Sequence, residues 1–188
     1  MGLAGFDFQA LTRRYLAQPS NDAAQYAVSI APAGPGTAWR CIGAYHLKPT
    51  ENMRGHNCYI EVLDEAGNRT RQPQIAFTRW IDAALELRKL DKPNDEPATN
   101  IDIYKGDTIT LRVADAFPSD SVGNIHTRWS DEGVNALNAV GHHSYFVCFQ
   151  LQRRGAITPP IDPPVVLLTL EQRVARLERL WEESQAGK

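Results

Sequence analysis

The chain has 188 residues, 43% hydrophobic and 22% charged, which suits one globular domain with an appendage and excludes two full domains or a disordered chain. Lysine plus arginine (20) nearly balance aspartate plus glutamate (22), so no net positive field is available to displace counterions from a phosphate backbone, and nucleic acid is not an expected partner. A membrane is not expected either: no apolar run approaches the roughly 18 residues of a membrane helix, and the start, Met1-Gly2-Leu3-Ala4-Gly5-Phe6, lacks the features of a signal peptide or a myristoylation site.

Phe8, Leu11, Tyr15 and Leu16 recur at helical spacing between Asp7 and Gln18, and Pro19-Ser20-Asn21 ends the pattern. This predicts a short amphipathic helix within an N-terminal segment, residues 1–24. From Gln25 the period falls to two, and short runs of β-branched and aromatic residues alternate with Gly, Pro, Asn and Asp. Nine strands are expected: Gln25 to Ala31, Trp39 to Leu47, His56 to Leu63, Pro73 to Trp80, Ala83 to Leu90, Asn100 to Tyr104, Asp107 to Ala114, Gly123 to Arg128 and His142 to Leu151. Alternation puts Trp39, Cys41, Tyr45 and Leu47 on one face against Arg40 and His46. It does the same for Ile109, Leu111 and Val113, and for Tyr145, Val147, Phe149 and Leu151. Asp64-Glu65-Ala66-Gly67-Asn68 predicts a hairpin between the third and fourth strands, and Lys105-Gly106-Asp107 a second tight reversal. Many short strands without alternating helices give a mainly β fold, an antiparallel β-sandwich of jelly-roll or immunoglobulin-like type over residues 25–155, with a closed antiparallel barrel as the alternative.

After Arg153-Arg154-Gly155 the composition changes to Ile157-Thr158-Pro159-Pro160-Ile161-Asp162-Pro163-Pro164, a semi-rigid proline-rich linker over residues 156–168. Thr169 with Gln172 makes a capping box. Leu170, Val174, Leu177 and Trp181 then follow at 4, 3, 4 spacing, with Glu171, Arg173 and Glu178 flanking the seam. Residues 169–188 are therefore expected to form a coiled-coil-like helix that makes a homo-oligomer, a trimer in preference to a dimer because bulky Trp181 suits a wide seam.

Cys41, Cys58 and Cys148 lie in apolar runs and are odd in number, as for buried thiols in a protein made in a cytoplasm. Five histidines, at 46, 56, 126, 142 and 143, could converge from adjacent strands. Consecutive His142 and His143 point opposite ways, however, so hydrogen-bonding roles are expected and no metal site or cofactor. The loop Asp91-Lys92-Pro93-Asn94-Asp95-Glu96-Pro97 is rich in oxygens but lacks the spacing of a calcium loop. Carboxylates at Glu61, Asp64, Asp115, Asp120, Asp131 and Glu132 are numerous, without a spacing that pairs any two for glycoside hydrolysis. Trp39 and Trp80 are expected in the core. Trp129 stands in a polar segment, and with His126, Asp131 and His142 it marks the candidate ligand site.

Trp39 to Gln150 resembles β-sandwich accessory modules of bacterial and phage proteins, some found beside lysozyme-like glycosidases. The resemblance rests on Ile42-Gly43-Ala44-Tyr45-His46-Leu47, Tyr59-Ile60-Glu61-Val62-Leu63 with its following turn, Asp91-Lys92-Pro93, Pro118-Ser119-Asp120 and Gly141-His142-His143-Ser144-Tyr145-Phe146. It implies a non-catalytic binding or structural role, and the sandwich, linker and helix order resembles a virion decoration or tail component with a capsid, tail or glycan partner. The competing expectation is a small polysaccharide hydrolase using the carboxylates near Trp129.

Overall fold

The computed structural model describes residues 6–52, 55–128 and 142–153. The proline-rich linker, the C-terminal segment where a helix with Leu170, Val174, Leu177 and Trp181 is expected, and the segment holding Trp129, Asp131 and Glu132 lie outside the described residues.

Helix α1 (Phe8–Ala17) starts where the Asp7 side chain accepts a 2.8 Å hydrogen bond from Ala10 N, and it ends at extended Gln18, ahead of Pro19. Ten strands follow. One sheet has the order β1 (Ser20–Asn21), β3 (Ala38–His46), β10 (Tyr145–Gln152), β4 (Asn57–Leu63), β7 (Thr99–Asp102). The other has β2 (Ser29–Ala31), β9 (Ser121–His126), β8 (Thr108–Ala114), β5 (Gln74–Arg79), β6 (Leu85–Lys89). Residues from the two sheets, among them Trp39, Ile60 and Phe149 against Phe77, Leu111 and Val113, form one buried cluster, a sandwich-like arrangement. Phe8, Leu11 and Tyr15 pack on the outer face of the first sheet against Ile42, Tyr59 and Phe146. Burying each such side chain stabilises by about 1.5–3 kcal/mol, enough to hold a helix that would be marginal alone. Leu16, expected in the same stripe, is 37% exposed.

All nine expected strands are present with ends shifted by a few residues, but four details differ. The first shortens to Ser29–Ala31 because Ala24–Tyr26 form a 3-10 turn closed by Ala27 at φ 57°. The antiparallel expectation holds throughout the second sheet, whereas in the first β10 runs parallel to β4 and β1 parallel to β3. The Asp64–Asn68 turn forms, with Gly67 at φ 83°, and so does the Lys105–Asp107 turn, with Gly106 at φ 79°. Neither joins partners in one sheet: each carries the chain from the first sheet to the second.

The fourth difference lies in β3. Its register with β10 shifts between Cys148 and Phe149, which pair with Gly43 and Cys41 and leave Ile42 as the extra residue of a bulge. One inserted residue reverses the alternation. Trp39 and Cys41 face the sandwich interior as expected, but so do Ala44 and, beyond it, His46, while Leu47 joins Ile42 under α1. Gly43 is required there: a Cβ would stand 2.0 Å from a Tyr15 ring carbon.

Two buried ionic brackets close the sandwich. Asp120 accepts hydrogen bonds from Ala33 N, Cys41 N and Arg40 Nη1 at 2.9–3.0 Å. Arg79 donates to Asp107 and to the Asp102 carbonyl, and its guanidinium lies 4.4 Å from the Tyr104 ring centre, tying β5 to the corner between β7 and β8.

Candidate functional site

The histidines gather at one end of the molecule, where β3 and β9 end and β4 and β10 begin. This end is assembled from three segments. Asn52, in a short helix α2 (Pro49–Asn52), donates through Nδ2 to the carbonyls of Gly55 and His142. Ser144 accepts from Leu47 N through its carbonyl and from Asn57 N through its hydroxyl. Glu51 accepts from Lys48 N and from the Tyr45 hydroxyl, and burial together with that carboxylate pushes the phenol up to about 12.

His143 and His46 are buried, with His46 Nε2 2.9 Å from His143 Nδ1, so one ring donates to the other. Tyr26 stacks on His46 at 3.8 Å between ring centres. Burial, and secondarily the neighbouring imidazole, lowers His46 to about 3, so the ring is neutral at physiological pH. His142 turns away from this pair towards exposed His56, with ring centres 6.2 Å apart. His126 accepts hydrogen bonds from Arg128 N at its Nδ1 and from the Tyr145 hydroxyl at its carbonyl. The five rings thus split into a buried pair and polar groups on the rim, and among the described residues no three His, Cys, Asp or Glu side chains group to hold a metal ion.

Trp80 reverses its expectation. It is 72% exposed at the end of β5, where its backbone N–H donates to the Thr108 carbonyl and the Arg128 guanidinium lies 5.6 Å from the indole centre. Arg128 also donates to the Thr108 hydroxyl. Of the candidate ligand residues, the structure brings His126 and His142 to this end. It adds Trp80 and Arg128, the residue before Trp129. Strand periodicity could not single out Trp80, since β5 simply ends before it. The signal available was Trp80-Ile81-Asp82, a bulky pair running straight into a turn.

Glu61, Asp64 and Asp115, the other described carboxylates named from the sequence besides Asp120, are engaged elsewhere. Glu61 pairs with Arg69 beneath α1, Asp64 caps its turn through Asn68 N, and Asp115 accepts from the Trp39 indole N–H. Arg69 also donates to the carbonyls of Pro93 and Glu96, so a guanidinium organises the Asp91–Pro97 loop. That arginine and Arg71 line a groove of about 620 Å³ beside α1, yet Arg71 too is bonded, to Leu90 O and Asn94. Cys41, Cys58 and Cys148 are buried free thiols whose pKa values burial raises, which suits inert packing. Among the described residues no helix is long and apolar enough to cross a membrane. No family model, curated protein or solved structure matches the chain.

Proposed function

We propose that the chain is a non-catalytic binding module whose histidine-rich end contacts a glycan. The module would be held in an oligomer by residues 169–188 and displayed on a larger assembly such as a phage virion. The observation that carries this reading is exposed Trp80 beside Arg128. An indole costs free energy in water unless a partner covers it, and its apolar face matches the C–H face of a pyranose. Arg128, Thr108 and His126 stand around it as hydrogen-bonding groups for sugar hydroxyls.

The test is binding of the intact protein to an array of bacterial surface glycans, followed by titration of any ligand found. Trp80→Ala should weaken binding at least about tenfold, the loss typical of removing an aromatic anchor, with unchanged melting because the side chain is solvent-exposed. Equal binding by the variant, or no glycan bound at all, would reject the reading. Sugar release from a cell-wall or capsule extract, lost on Asp131→Asn or Glu132→Gln, would replace it with the hydrolase. Light scattering of the intact protein beside Leu170→Asp/Leu177→Asp tests the oligomer: dissociation in the double variant supports it, and a monomer in both rejects it.

A further inference from the structure

Strand β6, Leu85-Glu86-Leu87-Arg88-Lys89, closes one side of the second sheet and, among the described residues, is laddered only to β5. Its polarity is inverted. Glu86 and Arg88 are opposite Phe77 and Ile75, so they share the inner face with those core residues, whereas Leu85 and Leu87, opposite Thr78 and Ala76, face outward. The two leucines are 64% and 57% exposed. An edge that is both open and apolar on its outer face is a template for another strand unless something blunts it. The charges of β6 do not simply repel a partner, because their order is self-complementary.

We infer that β6 is an interface between two copies of this chain, paired antiparallel about a two-fold axis through Leu87 so that the two second sheets become continuous. A continuous sheet keeps inner face with inner face, which restricts the registers to those centred on a residue. Centring on Glu86 opposes two glutamates, and centring on Arg88 opposes two arginines. Centring on Leu87 sets Leu87 against its own copy, Leu85 against Lys89, and Glu86 against Arg88 twice over. The groups are available for this. Glu86 holds Arg79 through Oε1 and its side chain is 41% exposed, and Arg88 is exposed, with its guanidinium carbon 5.9 Å from the Phe77 ring centre. This interface depends neither on the glycan reading nor on residues 169–188.

The experiment is sedimentation of the full chain carrying Leu170→Asp/Leu177→Asp, which removes the proposed helical seam, over concentrations up to the millimolar range. A reversible dimer is expected. Glu86→Arg or Arg88→Glu alone should weaken it about tenfold or more, since the axis repeats each change, and the two together should restore it. Leu87→Cys guards against a variant that folds poorly: its thiol meets its own copy on the axis, the three native thiols are buried, and mild oxidation should give a covalent dimer far faster than Lys89→Cys does. A chain that stays monomeric, a charge reversal that fails to restore the dimer, or equal cross-linking at positions 87 and 89 would overturn the interface.

Discussion

Replacing Asp120 with alanine should be among the most damaging single changes in the domain. Its side chain is 2% exposed and brackets the start of β3 to the 33–36 segment: Oδ1 accepts from Ala33 N and Arg40 Nη1, and Oδ2 accepts from Cys41 N. Alanine leaves the Cys41 N–H buried without its acceptor, at about 1–3 kcal/mol. It also strips the carboxylate from a guanidinium that keeps only the carbonyls of Gly34 and Gly36. Removing one partner of a buried pair costs about 3–5 kcal/mol, which we take as the total. At about 2–4 °C per kcal/mol for a domain of this size, the melting temperature should fall by roughly 6–20 °C. Asparagine keeps one oxygen, and its best orientation holds Ala33 and Arg40 while turning its amide towards Cys41 N–H, so about half the loss is expected. Urea unfolding of the two variants and the parent reads both numbers. A loss below about 1 kcal/mol for Asp120→Ala, or equal losses for alanine and asparagine, would refute the acceptor-by-acceptor reasoning.

Gly43→Ala should drive a methyl group into the Tyr15 ring and cost about 1–3 kcal/mol as overpacking, seen as a lower urea midpoint and faster proteolysis within α1. Native protein should react slowly with a thiol reagent while urea-unfolded protein titrates three thiols, because Cys41, Cys58 and Cys148 are buried; rapid modification of the folded protein would contradict the packing of β3, β4 and β10. His46 has its pKa lowered from 6.5 to about 3 in the folded state, so between those values the unfolded chain binds the extra proton. Its contribution to stability is therefore complete above pH 6.5 and is lost as pH falls towards 3, at up to about 1.4 kcal/mol per pH unit. Urea midpoints measured across that window should fall less steeply in His46→Gln.

Strand positions were legible in the sequence because half-buried strands impose a period of two that needs no knowledge of partners. Helix α1 was legible from its apolar stripe and from the Pro19-Ser20-Asn21 stop. Partners were not: β4 and β5 flank a good turn yet part to different sheets, since local turn chemistry fixes a reversal and says nothing of the sheet that receives the next strand. The Ile42 bulge was equally hidden, because both phases of Trp39–Leu47 place apolar residues on each face. Residue type alone singles out His126 and His142, and the structure places both at the histidine-rich end. The exposure of Trp80 is hidden from the sequence because it adjoins a strand whose other bulky residues, Ile75 and Phe77, are buried.

The position of β10 bears on how a cell can make this protein. The last described strand to be synthesised is the one that sits between β3 and β4, so a nascent chain carries two unsatisfied strand borders until it arrives. Roughly 100 residues separate the end of β3 from the start of β10, about 5–20 s of translation. During that interval the half-made sheet is a substrate for chaperones or for its neighbours on a polysome. A message truncated ahead of the codons for residues 145–152 would yield an aggregating fragment rather than a smaller working module.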